Sequence, residues 1–366
     1  MGKKTLFLNL ITLIFIGFAA ERSFADRSLE NQLIYRSPNA LAKGSTGIAD
    51  TDDHEAIFYN PAGLAQGDGL YKEIVLASPT VVVSSDAKNL VRKLSFEDDD
   101  SVQSLRQHVG KNQHISASNF TGFVFRRAAL GAVVNTTNNV LISKDPDNNG
   151  IETLQANSYN TAAINLALAE KFLNERLFIG ANLKYVNRTE AELELNVVDS
   201  EGFSDQLESD EIQKQFTGTG ADLGLMYRIP ARTTTTFGLR IANVGGLSLV
   251  NQQQGGQNRI LAQTIDLGVS FNFSTKLSSM KFNFDLVDIA GAAEENMFKK
   301  IHFGTELKFK NFFGFAGGIN QGYGSAGFFV NLYLVRFDLG TYTHEVGSHI
   351  GVRPDERYFF RVRVAL

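Results

Sequence analysis

The sequence predicts an all-β fold: a transmembrane antiparallel β-barrel of about fourteen strands, with an N-terminal hatch or plug segment in its lumen. Three observations predict it. From about Lys72 onward apolar residues recur at every second position, the period that puts them on one face of a strand. After the first two dozen positions no apolar run reaches the ~18 residues a membrane helix needs, which excludes a polytopic helical protein. The connections between the alternating segments are by turns short and long, as the two rims of an outer-membrane barrel require.

A chain of 366 residues suggests two or three soluble domains on length alone, but closed barrels run this long as one unit. Cys is absent, which excludes a disulfide framework, an iron–sulfur cluster, a thiolate zinc site, a catalytic thiol and a lipidated N-terminal Cys. Phe is abundant at 29, Trp is absent, and mean hydropathy is -0.10. Residues 1–25 read as a secretory signal peptide: Lys3 and Lys4, an apolar stretch from Leu6 to Ala20, then Ser23-Phe24-Ala25 ahead of the expected cleavage before Asp26. Its removal takes the formal charge from -4 to -6, a mild acidity that argues against a nucleic-acid partner.

The strands follow in order. They are expected at 73–85, 118–127, 129–142, 157–170, 177–190, 218–228, 233–244, 262–273, 279–288, 299–309, 312–320, 323–333, 335–344 and 357–366. The clearest alternation sets Met280, Phe282, Phe284 and Leu286 against Lys281, Asn283 and Asp285. Leu177, Ile179, Ala181, Leu183 and Tyr185 alternate with Gly180, Asn182 and Lys184, and Tyr358, Phe360, Val362 and Val364 with Arg357, Arg361 and Arg363.

Alternation alone leaves two readings open, a soluble sandwich whose apolar face meets a second sheet and a barrel whose apolar face meets lipid. The connections favour the barrel. With the first strand running outward, the outer links are 86–117, 143–156, 191–217, 245–261, 289–298, 321–322 and 345–356, six of them long, and every inner link is short. The long gaps are also the most polar, among them Glu97-Asp98-Asp99-Asp100 and Asp145 to Gly150. The latter superficially resembles a calcium loop but lacks the bidentate Glu at its far end, so no metal and no cofactor is expected.

Residues 26–72 lack sustained alternation and are expected to form the hatch, with the barrel at 73–366. A lumen of about fourteen strands is too wide for its own side chains to fill, so it either leaks or is plugged. Ala40 to Asp50, then Asp52-Asp53 and Glu55-Ala56-Ile57-Phe58-Tyr59-Asn60-Pro61-Ala62-Gly63-Leu64-Ala65, resembles the hatch of the FadL-like long-chain fatty acid transporter superfamily. The Asn-Pro-Ala signature of that hatch is matched by Asn60, Pro61 and Ala62, followed by Gly63. The motif spans about 25 residues, and the rest of the match is architectural. Similar hatches occur in PorV-like barrels of a protein secretion system. Unlike many barrels the chain has no Trp for an aromatic girdle and ends in Leu366, with Tyr358 and Phe360 keeping the last strand aromatic.

The resemblance implies a Gram-negative cell outer-membrane protein that passively admits a hydrophobic small molecule of the long-chain fatty acid kind, gated by movement of the hatch. It implies outer-membrane lipid and the barrel-assembly machinery as partners, the latter reading Arg357 to Leu366. Phe58, Tyr59 and Leu64 are the candidate ligand-binding residues. Fixed φ at Pro61 and backbone freedom at Gly63 suit a segment that crosses a lumen and shifts. The alternative is a docking barrel for a secretion partner protein. A transporter should hold a continuous apolar pocket beside Asn60, and a docking barrel should not. An enzymatic rival, a hydrolase loosely resembling the outer-membrane phospholipase pattern, would use His114 and Ser116, but Ala117 stands where that pattern has Asn. His302 with Glu306 and His344 beside Glu345 read as lumen or loop polar residues, and no catalytic residue is expected.

Overall fold

A computed structural model describes residues 33–66, 71–87, 109–125, 127–144, 152–196, 212–253, 255–310 and 312–366. The expected signal peptide and the loops around Glu97–Asp100, Asp145–Gly150 and Asp199–Glu211 lie outside the described residues.

Seventeen strands form one antiparallel sheet that closes on itself. β1 (Tyr71–Ala77) and β2 (Thr80–Ser84) are two halves of one wall strand, both flanked by β3 (Asn112–Phe125) and by the last strand, β17 (Pro354–Ala365). The break falls at Ser78-Pro79, since Pro79 has no N–H for the ladder. β4 (Ala128–Lys144), β5 (Glu152–Phe172), β6 (Leu177–Asn196) and β7 (Gln213–Ile229) follow as long neighbours.

β8 (Thr234–Ala242) continues as β9 (Leu247–Asn251), and β10 (Arg259–Leu261) continues as β11 (Thr264–Ser274). The wall is completed by β12 (Ser278–Leu286), β13 (Ile301–Phe309), β14 (Phe313–Asn320), β15 (Tyr323–Leu332) and β16 (Val335–Glu345). With the three broken strands each counted once, the wall has the expected fourteen.

The structure corrects the sequence reading at three places. The strand expected at 73–85 is interrupted at Pro79. The second strand begins at Asn112, so the first outer connection ends before it. The connection expected at 245–261 contains β9 and β10, hidden because Gly245 and Gly246, at φ 75° and 83°, break the alternation between β8 and β9.

The period-two face divides as predicted. Leu183, Ile164 and Leu168 point outward, 56 to 60% exposed, while Asn182, Lys184 and Asn165 on the same strands are buried inside. A belt of outward Leu, Ile and Phe around a closed sheet matches lipid, where no edge strand is left unpaired.

The hatch fills the lumen with short helices. Ser37 caps α1 (Pro38–Ala42) by accepting from the amides of Asn39 and Ala40, and Pro38 occupies the first turn, where no N–H is needed. Gly44, at φ 65°, reverses the chain after α1; a Cβ there would also strike the backbone of Phe303 and Ile319. α2 (Ala56–Tyr59) leads into the 3-10 helix η1 (Pro61–Ala65). Ile57 and Leu64 pack with Phe120, Phe178 and Met226 of the wall into one buried cluster.

Candidate ligand-binding site

The site begins with how the hatch is held. Asn60 is fully buried and caps η1, accepting from the Ala62 amide at 3.2 Å. Its own amide donates to the carbonyls of Ile48 (2.8 Å), Leu225 (3.3 Å) and Leu239 (3.3 Å), tying two hatch segments to β7 and β8. Asn-Pro-Ala is therefore a capped helix start: Asn supplies the cap, Pro needs no donor partner, and Ala is small enough for the wall. Gly63 has an ordinary φ, so its part is not backbone freedom. A side chain there would meet the Thr51 carbonyl and the Ala56 Cβ.

The wall makes room by pairing glycines across strands. Gly180 pairs with Gly224, Gly238 with Gly268, and Gly304 with Gly318. A Cβ at Gly180 or Gly224 would strike Asn60-Pro61-Ala62, one at Gly238 or Gly268 would strike Ile48 and Ala49, and one at Gly304 or Gly318 would strike Lys43 and Gly44. The hatch backbone thus rests directly on the sheet along much of its length.

Charged lumen residues fasten what the glycines admit. Asp285 accepts from the amides of Gly47 (2.7 Å) and Ile48 (3.0 Å). Lys43 donates to Asp50 at 2.6 Å within the hatch, and the Asp50 carboxylate also receives Asn283 at 3.0 Å. Burial by itself would lower the Lys43 pKa, but Asp50 and Glu306 outweigh it and hold the ammonium charged. Arg361, fully buried, bridges Glu55 of the hatch (2.8 Å) and Asp338 of β16 (2.9 Å). Burial would raise the Glu55 carboxyl, and the Arg361 guanidinium overrides it, bringing it down to about 2. Asp53, His54 and Glu73 come within 4.8 Å of one another, and the Arg363 guanidinium lies 2.9 Å from Glu73.

On the outer side of the hatch lies a cavity that opens away from it. Its floor is hatch and largely apolar: Leu33, Ile34, Tyr35, Leu41, Phe58 and Tyr59. The rings of Tyr35 and Phe58 meet at a tilt of 44°, their centroids 4.8 Å apart. The Tyr59 hydroxyl accepts from the Ser37 amide at 3.2 Å, and burial pushes its pKa up. The wall of the cavity is polar. Lys184 pairs with Asp222 at 2.6 Å and Arg240 with Asp266 at 2.7 Å, and Arg240 also donates to the Phe58 carbonyl at 2.6 Å. Asn165, Asn182 and Asn243 also line it, with Thr264, Asn320 and Gln321 further along.

Of the expected ligand residues, Phe58 and Tyr59 line this cavity. Leu64 is fully buried in the cluster between hatch and wall, and Asn60 to Gly63 are buried in the seam where the hatch rests on the sheet. The pocket expected to be continuously apolar is instead two-faced, apolar below and polar along the wall. Alternation had placed Asn182 and Lys184 on the inner face, but nothing in the sequence brings Asn243 beside them.

The structure brings His114 and Ser116 together and adds a third residue: Nε2 lies 3.2 Å from Ser116 Oγ and Nδ1 2.7 Å from Asn139 Oδ1. The group sits in mid-sheet, with Ser116 opposite Val82 on one side and Thr137 on the other. The ladders on both sides take up the backbone N–H groups that an oxyanion hole would need. His302 Nδ1 donates to the Gly44 carbonyl at 2.9 Å, a further hatch fastening, and Glu306 pairs with Lys308 at 3.0 Å.

No family model matches the chain, and no curated protein matches it in sequence. Among solved structures the fold is shared with the toluene transporter TbuX of Ralstonia pickettii, at TM-score 0.52 and 13% identity over 90% of this chain and 97% of that one. It is shared equally with the monoaromatic hydrocarbon channel CymD, at TM-score 0.52 and 13% identity over 91% and 97%. Both are channels or transporters rather than enzymes. At this identity the likeness is one of fold.

Proposed function

We propose, for a chain with the FadL-like barrel-and-hatch fold, passive transport of hydrophobic small molecules across the outer membrane. The observation that carries this reading is the cavity inside the closed barrel: its apolar floor is the hatch, as a transporter requires, although its polar wall departs from the continuous apolar pocket expected beside Asn60. Cargo is captured from the outer loops, settles on Leu33, Ile34, Phe58 and Tyr59, and leaves when the hatch shifts. Burying ten methylenes at ~0.8 kcal/mol each supplies about 8 kcal/mol, near micromolar affinity before the costs of association. No energy source is called on, because the free energy of burial and the concentration gradient suffice. The solved channels that share the fold are named for toluene and monoaromatic hydrocarbons, which supports a hydrophobic cargo.

The hatch fastenings bear on how it opens. Asn60 to Gly63 are seated on Gly180 and Gly224, whereas residues 33–36 contribute to the cavity floor. We place the moving part at 33–41 and the fixed point at Asn60. The test is saturable binding of a fluorescent hydrophobic probe to the detergent-purified barrel, followed by uptake into proteoliposomes. Micromolar binding that Phe58→Ala weakens severalfold supports the reading. A folded barrel that binds no probe refutes it and leaves the docking role as the better account.

A further inference from the structure

The polar side of the cavity specifies more than hydrophobicity. Asn165, Asn182 and Asn243 are each at least 97% buried, and all three line the cavity. Each keeps one side-chain atom without a hydrogen-bond partner among the described residues: Nδ2 of Asn165, Oδ1 of Asn182 and Oδ1 of Asn243. Their other atoms are committed. Asn182 Nδ2 donates to Asn165 Oδ1 (3.2 Å) and to Asp222 (3.0 Å), and Asn243 Nδ2 donates to the Ala262 carbonyl (3.0 Å). The Asn243 backbone amide also reaches Asp222, at 2.8 Å, so Asn182 and Asn243 flank the same carboxylate. A buried amide without a partner is costly, and these three atoms are closed to solvent, so a guest supplies what they lack once the amides turn toward the space they line.

Most of the cavity's charges, by contrast, are paired, although Nε of Arg36 makes no hydrogen bond among the described residues. Lys184 is neutralised by Asp222 and Arg240 by Asp266, while Arg36 and His344, at the same cavity, have partners of their own. A carboxylate entering here finds two orphan acceptors and two resident carboxylates, and offers no donor to any of them. A bare hydrocarbon satisfies none of the three amides. A hydroxyl answers both needs, donating to an Asn oxygen and accepting from Asn165 Nδ2.

We propose that the cavity selects a neutral hydroxylated hydrophobe, an alcohol or phenol whose apolar body lies on the hatch and whose hydroxyl lies against Asn165, Asn182 and Asn243. This rests on the uptake reading above and narrows its cargo. The experiment is competition against bound 1-N-phenylnaphthylamine on the native barrel by a matched ten-carbon series: decane, 1-decanol, and decanoate at pH 8, corrected for micelle partition. The alcohol is expected to displace the probe at about tenfold lower concentration than either of the others, the effect of one net hydrogen bond. Asn182→Leu and Asn243→Leu should erase the preference of decanol over decane, with heat-modifiable mobility reporting an intact barrel. Equal displacement by decane and decanol, or strongest displacement by decanoate, overturns the hydroxyl assignment and leaves hydrophobic uptake standing. Failure of the probe itself to bind the folded barrel refutes both.

Discussion

At the scale of single residues, the hatch depends on a few side chains that do several jobs at once. Asn60→Ala removes a helix cap and a donor shared among three carbonyls. It should cost about 2–3 kcal/mol, read as a lower urea midpoint. Arg361→Ala strands two buried carboxylates, Glu55 and Asp338, and should cost about 3–5 kcal/mol in the same assay. The same contact sets a pH dependence. The Glu55 carboxyl is held at about 2, below its ordinary 4.5, so its contribution is complete above about pH 4.5 and fades as pH falls toward 2. Protection factors across residues 47–60, taken against the intrinsic exchange rate at each pH, should therefore hold down to about pH 4.5 and fall below it. Unchanged protection at pH 2 would show that the ion pair does not hold the hatch.

At the scale of elements, the seam between hatch and sheet is made by what the strands omit. Gly224 and Gly180 face each other across β6 and β7, and any side chain on either displaces Asn60-Pro61-Ala62. Gly224→Val should lift the hatch and expose it to protease while leaving the barrel heat-modifiable. Gly324→Ala is the control, because a Cβ there meets nothing within 4 Å. If both variants protect the hatch equally, the glycine seam is not what fixes it. The strands were legible because period two is local. β9 and β10 were not, because Gly245 and Gly246 break the alternation and only pairing with β7 reveals the continuation.

At the scale of the whole molecule, the closed sheet turns one chemical alternation into two environments, lipid outside and a packed polar lumen inside. Leu183, mid-strand on β6 and 60% exposed, sits in the outward belt. Leu183→Arg should destabilise the barrel by about 2–4 kcal/mol in lipid vesicles if the position lies near the midplane. A cost near zero would mean that this surface does not face hydrocarbon. The inward parity has no such uniform demand: it carries glycines where the hatch touches, ion pairs where it is tied, and asparagines where the cavity opens.

The sequence by itself determined the barrel, its strand number, which residues face out, and that the segment around Asn60 forms a hatch. Each of these follows from a repeat of two residues, from turn spacing, or from a contiguous motif, all of which are local along the chain. Only the tertiary structure decided which inward residues meet. Asn165, Asn182 and Asn243 lie on or beside three different wall strands, and Phe58 and Tyr59 come to them from a hatch more than 100 residues earlier. Alternation can say that Asn182 points inward but not what it finds there, because register across the sheet and the path of the hatch through the lumen are set by long-range packing. That is why Phe58 and Tyr59 could be picked as candidates from the motif alone, while the polar wall opposite them could not.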